Sequence, residues 1–213
     1  MKKTILFDLD GTLTDSGEGI MKCAELALQT FGIPVPDEKI MRSFIGPPLD
    51  YSFRRLGMRE EDIPQAIAVF RKRYTAVGKY ENFPYPGIQQ VLKTLMDQGH
   101  RLCVATSKPE VMAVDILNHF GLSEYFHKVV GATLDCSRIT KEDVITFLLD
   151  SLGNPDYLLM IGDTKFDVIG ASAHGIPTIG VTWGYGEEEE MRQAGACAIV
   201  HTMDQLMNAI AGI

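Results

Sequence analysis

Thr4-Ile5-Leu6-Phe7-Asp8-Leu9-Asp10-Gly11-Thr12 is the stretch on which the reading of this chain turns. A short apolar run rich in strand-forming residues ends abruptly in two aspartates and a glycine. Runs without polar alternation suit strands buried on both faces, as in a parallel sheet covered by helices. The pattern recurs. Leu102-Cys103-Val104-Ala105 leads into Thr106-Ser107-Lys108-Pro109, and Tyr157-Leu158-Leu159-Met160-Ile161 leads into Gly162-Asp163-Thr164-Lys165-Phe166-Asp167. Lys128-Val129-Val130 and Thr178-Ile179-Gly180-Val181 supply two more apolar runs.

Helical patterns separate these runs. Ile88, Val91, Leu92 and Leu95 recur at helical spacing before a stop at Gly99. Pro109 opens a helix carrying Met112, Ile116 and Phe120 and ending at Gly121. Thr140 with Asp143 forms an N-terminal cap ahead of Val144, Ile145, Leu148 and Leu149. Strands alternating with helices predict an α/β fold with a doubly wound parallel sheet.

The first crossover breaks the rhythm. Roughly ninety residues separate Asp10 from the strand near Arg101, against about 30 for an entire βαβ unit. Within them lie two helical stripes, Ile20, Ala24, Ala27, Leu28, Phe31 and Ile63, Ile67, Phe70, Tyr74, Val77, punctuated by Pro34, Pro36, Pro47 and Pro48. We therefore expect an all-α domain over residues 15–84 inserted into an α/β core of residues 1–14 and 85–213.

Composition narrows the function classes. The 213 residues are 46% apolar and 23% charged, enough for a sizeable core and against disorder. No run of about 18 apolar residues would span a bilayer. The net charge of −8, with no basic block, argues against nucleic-acid polymers and anionic membranes as partners. Met1-Lys2-Lys3-Thr4 enters too short an apolar stretch for a secretory signal, so a cytoplasmic location is expected. Cys23, Cys103, Cys136 and Cys197 lie far apart and read as reduced thiols rather than a disulfide or zinc framework.

The candidate chemistry follows the apolar runs, at the carboxyl ends of strands, where open α/β sheets bind their ligands. Asp8 and Asp10 share strand parity, about 7 Å apart at Cα. Asp163 adds a third carboxylate from another strand. Crowded anions repel, and a hard divalent cation relieves the repulsion; Mg²⁺ prefers oxygen ligands and sites that also hold phosphate.

Asp8-Leu9-Asp10-Gly11-Thr12, Thr106-Ser107, Lys141 and Gly162-Asp163 with Asp167, in this order, resemble the motifs of the haloacid dehalogenase superfamily. The resemblance covers nearly the whole chain, the inserted helices matching the family's cap, and Asp10 points to its phosphatase branch. It implies Asp8 as nucleophile, Asp10 as general acid and base, and Thr106 with the Ser107 amide as phosphate-binding groups. It also implies Asp163 as a Mg²⁺ ligand together with Asp8 and the Asp10 backbone carbonyl. Asp167 would support that shell or substitute in it. Lys141 matches the charge-neutralising lysine, although the proline that commonly follows it is missing; Lys108 is its rival. Gly11 lets the backbone turn and approach phosphate.

The resemblance implies a small phosphorylated metabolite as substrate, of the phosphoglycolate or 5′-nucleotide type, and a monomer or homodimer. Gly46 and Pro47, and Lys108, are candidates for substrate selection, and Arg42, Arg54 and Arg55 for a second substrate anion. The inserted helices are expected to gate access by hinging near Asp15 and Tyr85-Pro86-Gly87. Phosphomutase, pyrophosphatase and non-hydrolytic phospho-receiver chemistry remain alternatives. Trp183-Gly184-Tyr185-Gly186 reads as a packed turn bordering the crevice, and the acids of residues 187–190 as a solvated first helical turn.

Overall fold

The computed structural model describes residues 2–135, 137–153, 155 and 157–213; Cys136 lies outside the described residues. In chain order the elements are β1 (Thr4–Phe7), β2 (Thr14–Asp15), α1 (Gly17–Thr30), α2 (Glu38–Arg42), α3 (Leu49–Arg55) and α4 (Ile63–Ala76). There follow β3 (Phe83–Pro84), α5 (Ile88–Asp97), β4 (Arg101–Pro109), α6 (Glu110–His119) and β5 (Lys128–Ala132). The chain ends with α7 (Lys141–Leu152), β6 (Leu158–Gly162), α8 (Lys165–Ser172), β7 (Thr178–Val181), α9 (Glu188–Gln193), β8 (Ala198–Val200) and α10 (Met203–Gly212). Two compact units result: Met1–Thr14 with Pro84–Ile213, and Asp15–Phe83. Pro84 thus belongs with the α/β unit.

The α/β unit holds a six-stranded sheet in the order β5-β4-β1-β6-β7-β8, with parallel pairings throughout. The five apolar runs form β1, β4, β5, β6 and β7. The sixth strand, β8, has no counterpart among them, because Ala198-Ile199-Val200 is too short to carry a period. Strand residues alternate between two cores. Ile5, Phe7, Leu102, Val104, Leu159 and Ile161 pack with α5, α6 and α10, whereas Leu6, Cys103, Ala105 and Met160 pack with α7 and α8. Both faces are therefore covered, as continuous apolar strands require.

Register sets the site. Phe7 lies beside Val104 and Ile161, so Asp8, Ala105 and Gly162 reach the carboxyl edge together. β1 has β4 on one side and β6 on the other, which makes it the point where strand order reverses and a crevice opens. Asp8 shares parity with Leu6 and so turns towards the α7 and α8 side.

The second unit is helical. Ile20, Cys23, Ala24, Ala27 and Leu28 on α1 are buried, as are Ala66, Phe70 and Tyr74 on α4. Val77, expected on the α4 stripe, is instead half exposed beyond the end of that helix. Phe44 and Phe53 meet edge to face with centroids 5.2 Å apart. Arg73 grips Glu81 through two nitrogens, at 2.6 and 3.0 Å. Among the described residues, no helix is long and apolar enough to cross a membrane.

Candidate active site

The site grows from three strand ends of the α/β unit. Asp8 follows β1, and its backbone N–H donates to the Ile161 carbonyl at 2.9 Å, continuing the ladder by one residue. Asp163 follows β6. Asp167 sits in the first turn of α8, where its Oδ2 accepts the Thr164 N–H at 3.0 Å and the Thr164 hydroxyl at 2.9 Å. Lys141 is the first residue of α7, started by a capping box between Thr140 and Asp143. These carboxylates converge: ligand atoms of Asp8, Asp163 and Asp167 lie within 4.8 Å of one another.

Lys141 ties them together. Its buried Nζ lies 2.9 Å from Asp8 Oδ1 and 2.7 Å from Asp167 Oδ1, and donates to the Ala105 carbonyl at 2.9 Å. All three ammonium protons thus have an acceptor. Burial alone would lower the pKa of this lysine, but Asp167 and Asp8 outweigh it and hold it above the usual range. Among the described residues, the ion pairs of Lys141 go to Asp8 and Asp167 and that of Lys108 to Asp10, not to Asp163. Burial, compounded by the Asp167 and Asp8 charges, pushes its carboxyl well above the ordinary carboxylate range. Burial and the Asp8 charge raise Asp167 as well, against the opposing pull of Lys141.

The donor set fits a divalent cation. Three carboxylates and one ammonium leave a residual charge of about −2 when all are ionised. Apart from Lys141, Asp8 Oδ1 and Asp167 Oδ1 accept no hydrogen bond among the described residues. Oxygen-only ligands with spare lone pairs are the chemistry of Mg²⁺ rather than of a soft metal.

Asp10 is arranged differently. Its side chain turns from the acidic cluster to the Lys108 ammonium, while its Oδ1 is buried without a hydrogen bond. Its carboxylate is therefore not one of the clustered ligand groups; the reading of Asp10 as a metal ligand concerns its backbone carbonyl alone. The two lysines that compete in the sequence do not compete in space, since Lys141 meets Asp8 and Lys108 meets Asp10. Thr106 is buried, and its hydroxyl oxygen accepts the Lys108 N–H at 3.2 Å, which leaves the hydroxyl proton to donate elsewhere. Ser107 is exposed. Gly11, at φ +81°, has no room for a side chain, because a Cβ would meet the Asp163 carboxylate and the Tyr185 ring.

Gly46 and Pro47 belong to the helical unit, in the loop between α2 and α3. Arg42 pairs with Glu38, Arg54 with Glu60 and Asp50, and Arg55 lies over the Tyr51 ring. These arginines read as surface charges already partnered within their own unit.

Residues 183–186, which read from sequence as a packed turn bordering the crevice, hold Asp163. The Tyr185 N–H donates to Asp163 Oδ2 at 2.9 Å, and the Thr12 hydroxyl donates to Oδ1 at 3.2 Å. The paired glycines at 184 and 186 are the available signal: a Cβ on either would strike Asp163 atoms.

Comparison with known proteins agrees with this geometry. Residues 5–181 match the model of a family described as haloacid dehalogenase-like hydrolase. A 5′-nucleotidase of Pseudomonas aeruginosa is 45% identical over 190 residues, covering 88% of this chain and 86% of that protein. The tyrosine-protein kinase PtkA of Mycobacterium tuberculosis is 41% identical over 209 residues, 97% of this chain and 72% of its own. The crystal structure of a predicted phosphatase from Clostridium acetobutylicum superposes with a TM-score of 0.94 at 45% identity, over 100% of both chains.

Proposed function

The chain belongs to the haloacid dehalogenase-like hydrolase family, and on that premise we propose that it is a Mg²⁺-dependent phosphatase of small phosphate monoesters. The observation that carries this reading is Asp8 at a strand end, 2.9 Å from a buried Lys141 and clustered with Asp163 and Asp167.

In the proposed reaction the Asp8 carboxylate attacks phosphorus, the ester P–O bond breaks, and the phosphoryl group passes to Asp8. Asp10 gives a proton to the departing alkoxide, then takes one from the water that attacks the aspartyl-phosphate. Inorganic phosphate leaves and Asp8 is restored. Lys141 stays charged throughout and offsets the negative charge gathering around Asp8. The Thr106 hydroxyl, the Ser107 amide and the backbone at Gly11 orient the phosphoryl oxygens. Lys108 holds Asp10 in place. Asp8 and Asp163, with the Asp10 carbonyl, would hold Mg²⁺, and Asp167 would anchor Lys141 beside them. When bound, the cation neutralises phosphoryl oxygens and permits two anions to approach. The helical unit, residues 15–83, with Gly46 and Pro47, is the proposed source of substrate selection.

The relatives leave the phosphoryl acceptor as the question to test, because one of them is named a tyrosine-protein kinase. Free phosphate release from phosphoglycolate, nucleoside monophosphates and sugar phosphates should be measured with and without Mg²⁺. We expect release that needs the metal and vanishes in Asp8→Asn while the fold persists. A stably phosphorylated protein with no release from any ester would overturn hydrolysis and favour a receiver or transferase.

A further inference from the structure

The protein has a single tryptophan, Trp183, in the turn after β7. Its indole packs, partly buried, against the core on the Phe7 face and meets Tyr85 edge to face at 6.4 Å between centroids. Apolar packing asks nothing of the indole nitrogen. Yet Nε1 donates to the Thr12 carbonyl at 3.2 Å, and Thr12 is the residue whose fully buried hydroxyl braces Asp163 Oδ1. Two residues on, the Tyr185 N–H takes Asp163 Oδ2. Neutral donors therefore hold both oxygens of this carboxylate, and each oxygen keeps a lone pair for another partner. The fit is close on all sides, since a Cβ on Gly184 would strike both the Asp163 side chain and the Gly11 carbonyl.

We infer that Trp183 is a positioning residue for the cation site, acting through Thr12. By pinning the Thr12 backbone, the indole N–H keeps the Thr12 hydroxyl on Oδ1 and so sets the orientation in which Asp163 meets the ion. Trp183 touches neither metal nor substrate. The inference rests on the Mg²⁺ reading above, and its test is independent of hydrolysis.

The test is calorimetric titration of the full chain with Mg²⁺ alone. Trp183→Phe keeps the ring body and deletes the N–H; it should weaken binding about 10-fold, at the low end of the range for groups that orient metal ligands. Thr12→Val removes the hydroxyl and should cost about 10- to 100-fold. Thr12→Ser restores the hydroxyl and should bind as the parent does. Because the tryptophan acts through that hydroxyl, the double variant should be no weaker than Thr12→Val alone, whereas independent effects would multiply. Unchanged affinity in Trp183→Phe, full multiplication in the double variant, or loss in Thr12→Ser would each overturn the inference. The Thr12 pair of variants keeps it falsifiable if Trp183→Phe folds poorly. Mg²⁺ affinities that follow the expected order in a protein releasing no phosphate would sink the phosphatase reading and leave this one standing; hydrolysis with unchanged affinities would do the reverse.

Discussion

Lys141 carries more of the site's electrostatics than its position in the sequence suggests. Its ammonium is buried, touches two carboxylates and a carbonyl, and is what makes the buried Asp167 and the partly buried Asp8 tolerable beside Asp163. Removing one partner of a buried pair strands the other charge, which is far costlier than losing a surface pair. Lys141→Met keeps the volume and deletes the charge. We expect it to destabilise the metal-free protein by about 3–5 kcal/mol, read from urea unfolding at neutral pH. A change below about 1 kcal/mol, the scale of an exposed ion pair, would mean that water rather than Lys141 compensates Asp8 and Asp167. Asp167 shows why a single residue can have two readings. One carboxylate oxygen caps α8 through Thr164 while the other holds Lys141, so the helix start and the site share one side chain.

At the scale of elements, helix starts deliver the polar groups. α7 and α8 both open on a Thr–Asp capping box, Thr140 with Asp143 and Thr164 with Asp167. In α7 the Thr140 hydroxyl accepts the Asp143 N–H at 3.1 Å, and Asp143 Oδ2 accepts the Thr140 N–H at 3.0 Å. Because Lys141 is the next residue, the cap sets where its side chain leaves the helix. Thr140→Ala should cost about 1 kcal/mol of stability, measured by thermal unfolding. Asp143→Asn should cost less, since its amide oxygen still accepts the Thr140 N–H. An equal or larger loss from Asp143→Asn would show that charge at the helix start, not the box, is what matters. In the helical unit the comparable feature is Glu81, which receives Arg73 and Lys22 together and closes the segment back on α1.

At the scale of the whole molecule, a ligand that binds only the folded α/β unit must stabilise it by mass action. If Asp8 and Asp163 hold Mg²⁺, raising the free ion to 100 times its dissociation constant should add about 2.7 kcal/mol. The melting temperature should therefore climb with Mg²⁺ and fall back on chelation. Asp163→Asn should abolish the climb without unfolding the metal-free protein, because it replaces a carboxyl whose charged form burial and the Asp167 and Asp8 charges already disfavour. A climb that persists in Asp163→Asn would place the ion elsewhere.

Much of this architecture is legible in the order of residues alone, for a physical reason. Apolar runs such as Thr4-Ile5-Leu6-Phe7 have one good use, a strand covered on both faces, and the polar residues after them have nowhere to go but the sheet's carboxyl edge. Local periodicity and capping chemistry thus mark the α/β class, the inserted helices and the segments bearing Asp8, Thr106 and Asp163. What periodicity cannot encode is which distant side chains meet. The three-residue β8, the division of the lysines between Asp8 and Asp10, and the Trp183-Thr12 brace on Asp163 are contacts between segments far apart in the chain. Only strand order and register bring them together, and those are decided when the whole core packs at once.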